Sequence, residues 1–154
     1  MPWQVRRTAS EEETIALGEE LARGLKTPAV VLLIGELGAG KTTLAKGIIQ
    51  GLGAARAEDV TSPTFTLIHE FGAAPKVYHV DLYRIEEPRQ LASLGLEELL
   101  EHEAIVLVEW GERFPVLWPA DRVEVRLRAL EGDVREIRIS HGDIVGARPS
   151  IPSS

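Results

Sequence analysis

Ala29-Val-Val-Leu-Leu-Ile34-Gly35-Glu36-Leu37-Gly38-Ala39-Gly40-Lys41-Thr42-Thr43 decides the fold. The apolar run 29–34 reads as a strand buried on both faces, as in a parallel sheet. Gly35 to Thr42 then fits G-x-x-x-x-G-K-[ST]. Behind it Leu44, Ala45, Ile48, Ile49 and Leu52 form one helical stripe, stopped by Gly53. Strand, Gly-rich turn and helix thus follow in the order a phosphate-binding loop requires. The glycines let the backbone wrap tightly enough for successive N–H groups to point at phosphate oxygens, and the helix N-terminus adds its dipole. Lys41 is expected to reach the β- and γ-phosphates, and the Thr42 hydroxyl to ligate Mg²⁺. A chain of this composition would carry the motif by chance about 0.003 times. Residues 35–43 therefore predict a nucleoside triphosphate site.

Outward from this unit, Gln4 to Arg7 reads as a short strand. Ser10, three residues before Glu13, forms a capping box for a helix reaching Leu25, with Ile15, Gly18, Leu21, Ala22 and Leu25 on one face. Residues 64–71 and 77–83 form a hairpin across the Gly72–Pro75 turn. Two short helical stretches cover 88–102, broken near Gly95, before a second buried strand over 104–108. Residues 123–128 and 134–140 make a second hairpin, whose arginines (Arg122, Arg126, Arg128) alternate with acids on a solvated face. The fold class expected is α/β, a P-loop NTPase-like three-layer fold whose mixed sheet is largely parallel and carries antiparallel hairpins. One domain spans residues 1–145, and 146–154 form a flexible tail.

A P-loop protein needs an acid near its Mg²⁺ at the end of a neighbouring strand. Glu109 follows four apolar residues, and Asp81 ends Val77-Tyr-His-Val80. Thr61-Ser62-Pro63-Thr64 lies where such proteins place a hydroxyl that senses the γ-phosphate, and is equally a plain turn. His69, His79, His102 and His141 show no metal spacing and read as surface or hairpin residues. Trp110 fits either a ligand stack or a place beside the sheet, and Arg84 a surface ion pair. No arginine of the chain stands out as a finger for the phosphates. The adenine pocket has no motif, and residues 3–8 are the candidate for its edge.

Composition narrows the function classes. The 154 residues include no cysteine, which removes disulfides, thiol catalysis and Cys-based metal sites. No apolar stretch approaches the roughly 20 residues that span a bilayer, and the N-terminus lacks an apolar signal core, so a cytoplasmic protein is expected. A net charge of −7 disfavours unaided nucleic-acid binding. Residues 61–111 carry 3 basic and 9 acidic side chains, supplying −6 of it. Glu86, Glu87, Glu97, Glu98, Glu101 and Glu103 read as a solvated face or as a docking surface for a basic partner protein.

Residues 35–43, Thr61-Ser-Pro-Thr-Phe65, His79-Val-Asp-Leu-Tyr-Arg84, Leu94-Gly-Leu96 and Val108-Glu-Trp110 together resemble the TsaE (YjeE) family, small ATPases of bacterial tRNA threonylcarbamoyladenosine biosynthesis. The resemblance spans about residues 30–115. It implies ATP and Mg²⁺ as cofactors, with Lys41, Asp81 and Glu109 catalytic and Thr42 and Glu109 on the metal. It also implies a switch at Thr61, Ser62 and Thr64. The implied partner is a TsaB–TsaD complex that modifies tRNA position 37, tRNA being engaged only through it. Turnover should be slow alone and raised by the partner. The competing readings are a small-molecule P-loop kinase, for which 86–103 would have to supply an arginine-bearing lid, and an ATP-sensing adaptor without turnover. A GTPase is disfavoured, because no Asn-Lys-x-Asp or Thr-Lys-x-Asp guanine reader is present.

Overall fold

The structure, a computed structural model, describes residues 4–60, 67–72 and 74–140. The proposed switch residues Thr61, Ser62 and Thr64, Trp3, His141 and the expected tail lie outside the described residues. In chain order the elements are β1 (Gln4–Thr8), α1 (Glu11–Ala22), β2 (Ala29–Ile34), α2 (Lys41–Gly51), β3 (Ile68–Phe71), β4 (Lys76–Asp81), α3 (Pro88–Ala92), α4 (Leu96–Leu100), β5 (Ala104–Glu109), β6 (Val123–Ala129) and β7 (Arg135–Ser140). The seven strands form one sheet in the order β1-β7-β6-β2-β5-β4-β3. Its centre is parallel, β2 pairing with β5 and β6 and β5 with β4, while the β3–β4 hairpin closes one edge and the β6–β7 hairpin, with β1 antiparallel beyond β7, closes the other.

Strand alternation divides the core in two. Val31 and Leu33 of β2, Ile105 and Leu107 of β5 and Val125 of β6 face α1 and α2, packing on Leu17, Leu44, Ile48 and Ile49. Val30, Leu32, Val106, Val108 and Val80 face the opposite layer, where α3, α4 and the turns at 111–118 supply Leu91, Leu96, Leu99, Phe114 and Trp118. Both faces of β2 are covered, as its uninterrupted apolar run requires. The expected three layers are therefore present.

Local details depart from expectation. α1 ends at Ala22; Gly18 and Ala22 of the expected face are buried and Leu21 and Leu25 pack partly buried against the core, but Thr14 and Leu17 complete the buried face and Ile15 is only half-buried. Packing decides that face: a Cβ on Gly18 would lie 2.6 Å from the Leu44 carbonyl, and one on Gly47 would lie closer still to the Ile15 carbonyl. Two facing glycines bring α1 and α2 nearly into backbone contact. Ser10 caps α1 by accepting from the Glu13 amide at 3.1 Å, but the Glu13 carboxylate accepts from the Ala9 amide at 2.7 Å, one residue before the cap. β4 stops at Asp81, so Leu82 and Tyr83 belong to the following turn.

Candidate functional site

α2 opens where β2 ends, and the two strands nearest on one side, β5 and β4, finish level with it. Asp81 and Glu109 are register partners at the last rung of the parallel β4–β5 pair. They stand at the carboxyl edge of the sheet, where α/β proteins gather ligands. His79 precedes Asp81 by two residues and therefore shares its face. Gly40, at φ +103°, turns the loop into α2 in a backbone conformation closed to most side chains.

Thr42 and His79 meet on one atom. The Thr42 hydroxyl donates to Glu109 Oε2 at 2.9 Å, and His79 Nε2 lies 2.7 Å from the same oxygen. Glu109 is 3% exposed and His79 0%. Burial alone pushes the Glu109 carboxyl up, but the His79 and Thr42 hydrogen bonds and the Lys41 charge outweigh it and hold it below the usual range. Asp81 moves the other way: burial and the neighbouring Glu109 raise it, against the Tyr83 amide, which donates to Oδ1 at 2.9 Å. Two adjacent carboxylates are thus driven apart in acidity, the pattern that separates an ionised ligand from a proton-exchanging group.

Lys41 is buried at 4% exposure, its Nζ donating to the Gly35 carbonyl at 2.6 Å and standing 3.6 Å from the centre of the Trp110 ring. Burial lowers its pKa, while Glu109, Glu112 and Asp81 pull the other way. Trp110 pairs its aromatic face with a cation and is the one non-glycine at positive φ (67°) among the described residues. A non-glycine held there is a strained backbone of the kind found at ligand sites. Arg113 steadies that region: its Nη1 donates to the Tyr83 carbonyl at 2.6 Å, and its guanidinium lies 4.8 Å from the Trp110 ring centre.

These groups line a cleft of about 380 Å³. Gly38, Gly40, Lys41, Thr42 and Thr43 form its floor, Asp81, Glu109 and Trp110 one wall, and Ser10, Glu11, Thr14, Asp133 and Arg135 the other. Leu37, 70% exposed, and Gly38 sit at the rim, while Ala39 is buried beneath. A hydroxyl that has given its proton to a carboxylate presents its lone pairs elsewhere. Thr42 and Glu109 therefore suit a hard cation such as Mg²⁺, which takes its other ligands from phosphates and water.

Lys41, Thr42, Asp81 and Glu109 are thus brought together, as expected. Glu36 is exposed beside them, with its carbonyl accepting from the Ala39 amide at 3.0 Å. Arg84 is exposed and lines a separate depression. Of residues 3–8, the candidate adenine edge, Thr8 supports the cleft residues Ser10, Glu11 and Thr14 through a 2.7 Å bond to Thr14. Of the histidines, His79 is in the hairpin but fully buried and tied to the site. A residue not singled out from the sequence, Arg135, also stands at the phosphate loop, its Nη2 donating to the Gly38 carbonyl at 3.2 Å. Its signal would have been topological, since β6 lies beside β2 and lifts the β6–β7 turn over the loop.

With this geometry in place, comparison with known proteins gives a consistent answer. The family model "Threonylcarbamoyl adenosine biosynthesis protein TsaE" matches residues 8–137. The "tRNA threonylcarbamoyladenosine biosynthesis protein TsaE" of Bacillus subtilis (strain 168) is 41% identical over 133 residues, covering 85% of this chain and 81% of the relative. The same-named protein of Nostoc sp. is 47% identical over 113 residues, covering 70% and 67%. A crystal structure of Bacillus subtilis YdiB superposes with a TM-score of 0.74 at 32% identity, covering 92% of this chain and 86% of that one. The chain belongs to the TsaE family, P-loop-type proteins of tRNA threonylcarbamoyladenosine biosynthesis.

Proposed function

We propose that this protein is a Mg²⁺-dependent ATPase that acts in the cytoplasm on a TsaB–TsaD-type complex. One observation carries the reading: the phosphate loop, Lys41, and a Thr42–Glu109 pair with Asp81 beside it share a single cleft. Phosphoryl transfer asks a protein mainly for positioning and charge stabilisation, and these residues supply both. Backbone amides of residues 38–43 and the Lys41 ammonium bind the triphosphate. Thr42 and Glu109 hold Mg²⁺, which when bound neutralises charge on the β- and γ-phosphoryl oxygens.

Hydrolysis is in-line attack of water on the γ-phosphorus, forming the new P–O bond as the bridge to the β-phosphate breaks. Glu109, held ionised and committed to Thr42, is the metal-side acid. Asp81, with one oxygen on the Tyr83 amide and a raised pKa, is the group that orients the water and takes its proton. Ser10, Glu11, Thr14, Asp133 and Arg135 line the side of the cleft left to ribose and adenine.

The partner reading rests on family membership and on charge. A protein of net charge −7 in a tRNA-modification family is suited to act through proteins rather than by gripping tRNA. No helix among the described residues is long and apolar enough to cross a membrane. The kinase alternative loses its lid: α3 and α4 pack on the face of the sheet opposite α2, and Arg89 pairs with Glu87 at 2.8 Å.

Phosphate release from ATP and Mg²⁺, with and without TsaB–TsaD, tests the proposal. Slow release alone, acceleration by the complex and loss in Lys41→Ala are expected. Equal hydrolysis by Lys41→Ala would refute the site. Nucleotide binding and docking without turnover would favour the adaptor reading.

A further inference from the structure

We propose that His79 is a positioning residue that holds the Glu109 carboxylate on Thr42 in the orientation metal binding requires. The inference rests on the functional reading above. The ring occupies a place in β4 where its strand neighbours Val77, Tyr78 and Val80 are all buried, and it is itself 0% exposed. An ionised carboxylate only accepts hydrogen bonds. The 2.7 Å contact with Glu109 Oε2 therefore assigns a proton to Nε2.

Nδ1 is buried and has no hydrogen-bond partner among the described residues. An imidazole with one orphaned nitrogen is a poor choice for filling a core, since leucine or methionine would occupy a similar volume without leaving an unpaired polar atom. What histidine supplies, and an apolar side chain cannot, is the bond to Glu109.

That bond has a geometric consequence. Thr42 and His79 converge on Oε2 from α2 and β4, so the carboxylate is pinned between two elements. The other oxygen, Oε1, carries neither of these bonds, and Glu109 lines the cleft. Without His79 the carboxylate is free to turn about its last torsion, which for an sp³–sp² bond is broad. Thr42 would then lose the acceptor that orients its lone pairs. Outer partners of this kind commonly change metal affinity 10–100-fold.

The test uses the full chain with ADP, titrated by a fluorescent analogue with and without Mg²⁺, so that no turnover is needed. His79→Leu should leave metal-free nucleotide affinity within about twofold and weaken Mg²⁺ binding to the nucleotide complex by roughly tenfold or more. His79→Gln, whose amide nitrogen reaches the Nε2 position, should restore most of the loss. A merely structural role predicts equal loss in the two variants and loss of metal-free binding as well.

The ring nitrogens of the wild type, read by ¹⁵N NMR, provide a measurement that needs no variant to fold. A protonated Nε2 supports the assignment, and a bare Nε2 overturns it. Unchanged Mg²⁺ affinity in folded His79→Leu overturns this inference alone. A wild type that binds no nucleotide overturns the functional reading and this inference with it.

Discussion

Consider the nucleotide-free protein carrying Glu109→Leu, His79→Leu, or both. Glu109→Leu leaves the His79 Nε2–H without its acceptor in a site that is 0% exposed. An orphaned buried donor costs about 1–3 kcal/mol, offset in part because no carboxylate is now desolvated. His79→Leu removes a hydrogen bond to a charged group, about 1.5–3 kcal/mol, and leaves Glu109 with Thr42. Each single variant should therefore lose about 2 kcal/mol, or about 4–8 °C in Tm for a chain of this size. The double variant has neither a stranded His79 donor nor a desolvated Glu109 carboxylate, leaves the half-buried Thr42 hydroxyl to the open cleft, and adds apolar volume to the cluster of Leu107 and Val77. It should fall within about 1 kcal/mol of wild type. Urea or thermal unfolding of all four proteins without metal or nucleotide gives the cycle. Additive losses in the double variant would show that the 2.7 Å contact contributes no specific coupling and would refute the reasoning. Recovery of stability together with lost Mg²⁺-dependent binding would show that the pair is retained for the site.

Gly47→Ala places a Cβ against the backbone of Ile15; thermal denaturation should show a loss of about 1–3 kcal/mol despite the better helix propensity of alanine. Asp81 is raised in the folded state, so its contribution to stability is full below its unfolded pKa of about 3.9 and is lost as pH rises through the folded value. Asp81→Asn should therefore gain on wild type in unfolding measurements from about pH 4 upward through the raised value, while failing to hydrolyse ATP. Glu109 is lowered, so its contribution is present above its unfolded pKa and lost as pH falls through the folded one. Glu109→Gln should then lie closest to wild type in acid. Arg135→Leu removes the guanidinium bonded to the Gly38 carbonyl and should weaken nucleotide affinity about tenfold, or 1.4 kcal/mol, with a smaller difference at high salt; unchanged affinity would remove Arg135 from the phosphate side.

What was legible in the chain was what is local or ends abruptly. The run 29–34, the glycine spacing and the stripe of α2 lie within 24 residues, so one window contains strand, loop and helix. Glu109 was legible because an apolar strand stops on an acid, and Asp81 because it ends the preceding hairpin. His79 was not, because its partner lies 30 residues away and a lone histidine has no spacing to read. Arg135 was illegible for the same reason at greater range: 97 residues separate it from Gly38, and only the parallel β6–β2 pairing closes that distance. The face of α1 was legible in part: Gly18 and Ala22 are buried as expected, whereas Thr14 and Leu17 join them because Gly18 packs directly on Gly47 of α2.

Asp81 and Glu109 contribute to the −6 of residues 61–111 but are committed to the cleft, whereas Glu86, Glu87, Glu97, Glu98, Glu101 and Glu103 are all exposed, beginning in the turn that follows Arg84. The turn from Leu82 to Ile85 is clamped by Arg113, which donates to the carbonyls of Leu82, Tyr83 and Ile85 and stacks on Trp110. Trp110 in turn lies against Lys41. A contact made on the exposed acids would act at one end of this chain of packed groups and the nucleotide at the other. Three side chains, Arg113, Trp110 and Lys41, thus link the turn at Leu82–Ile85 to the phosphate loop.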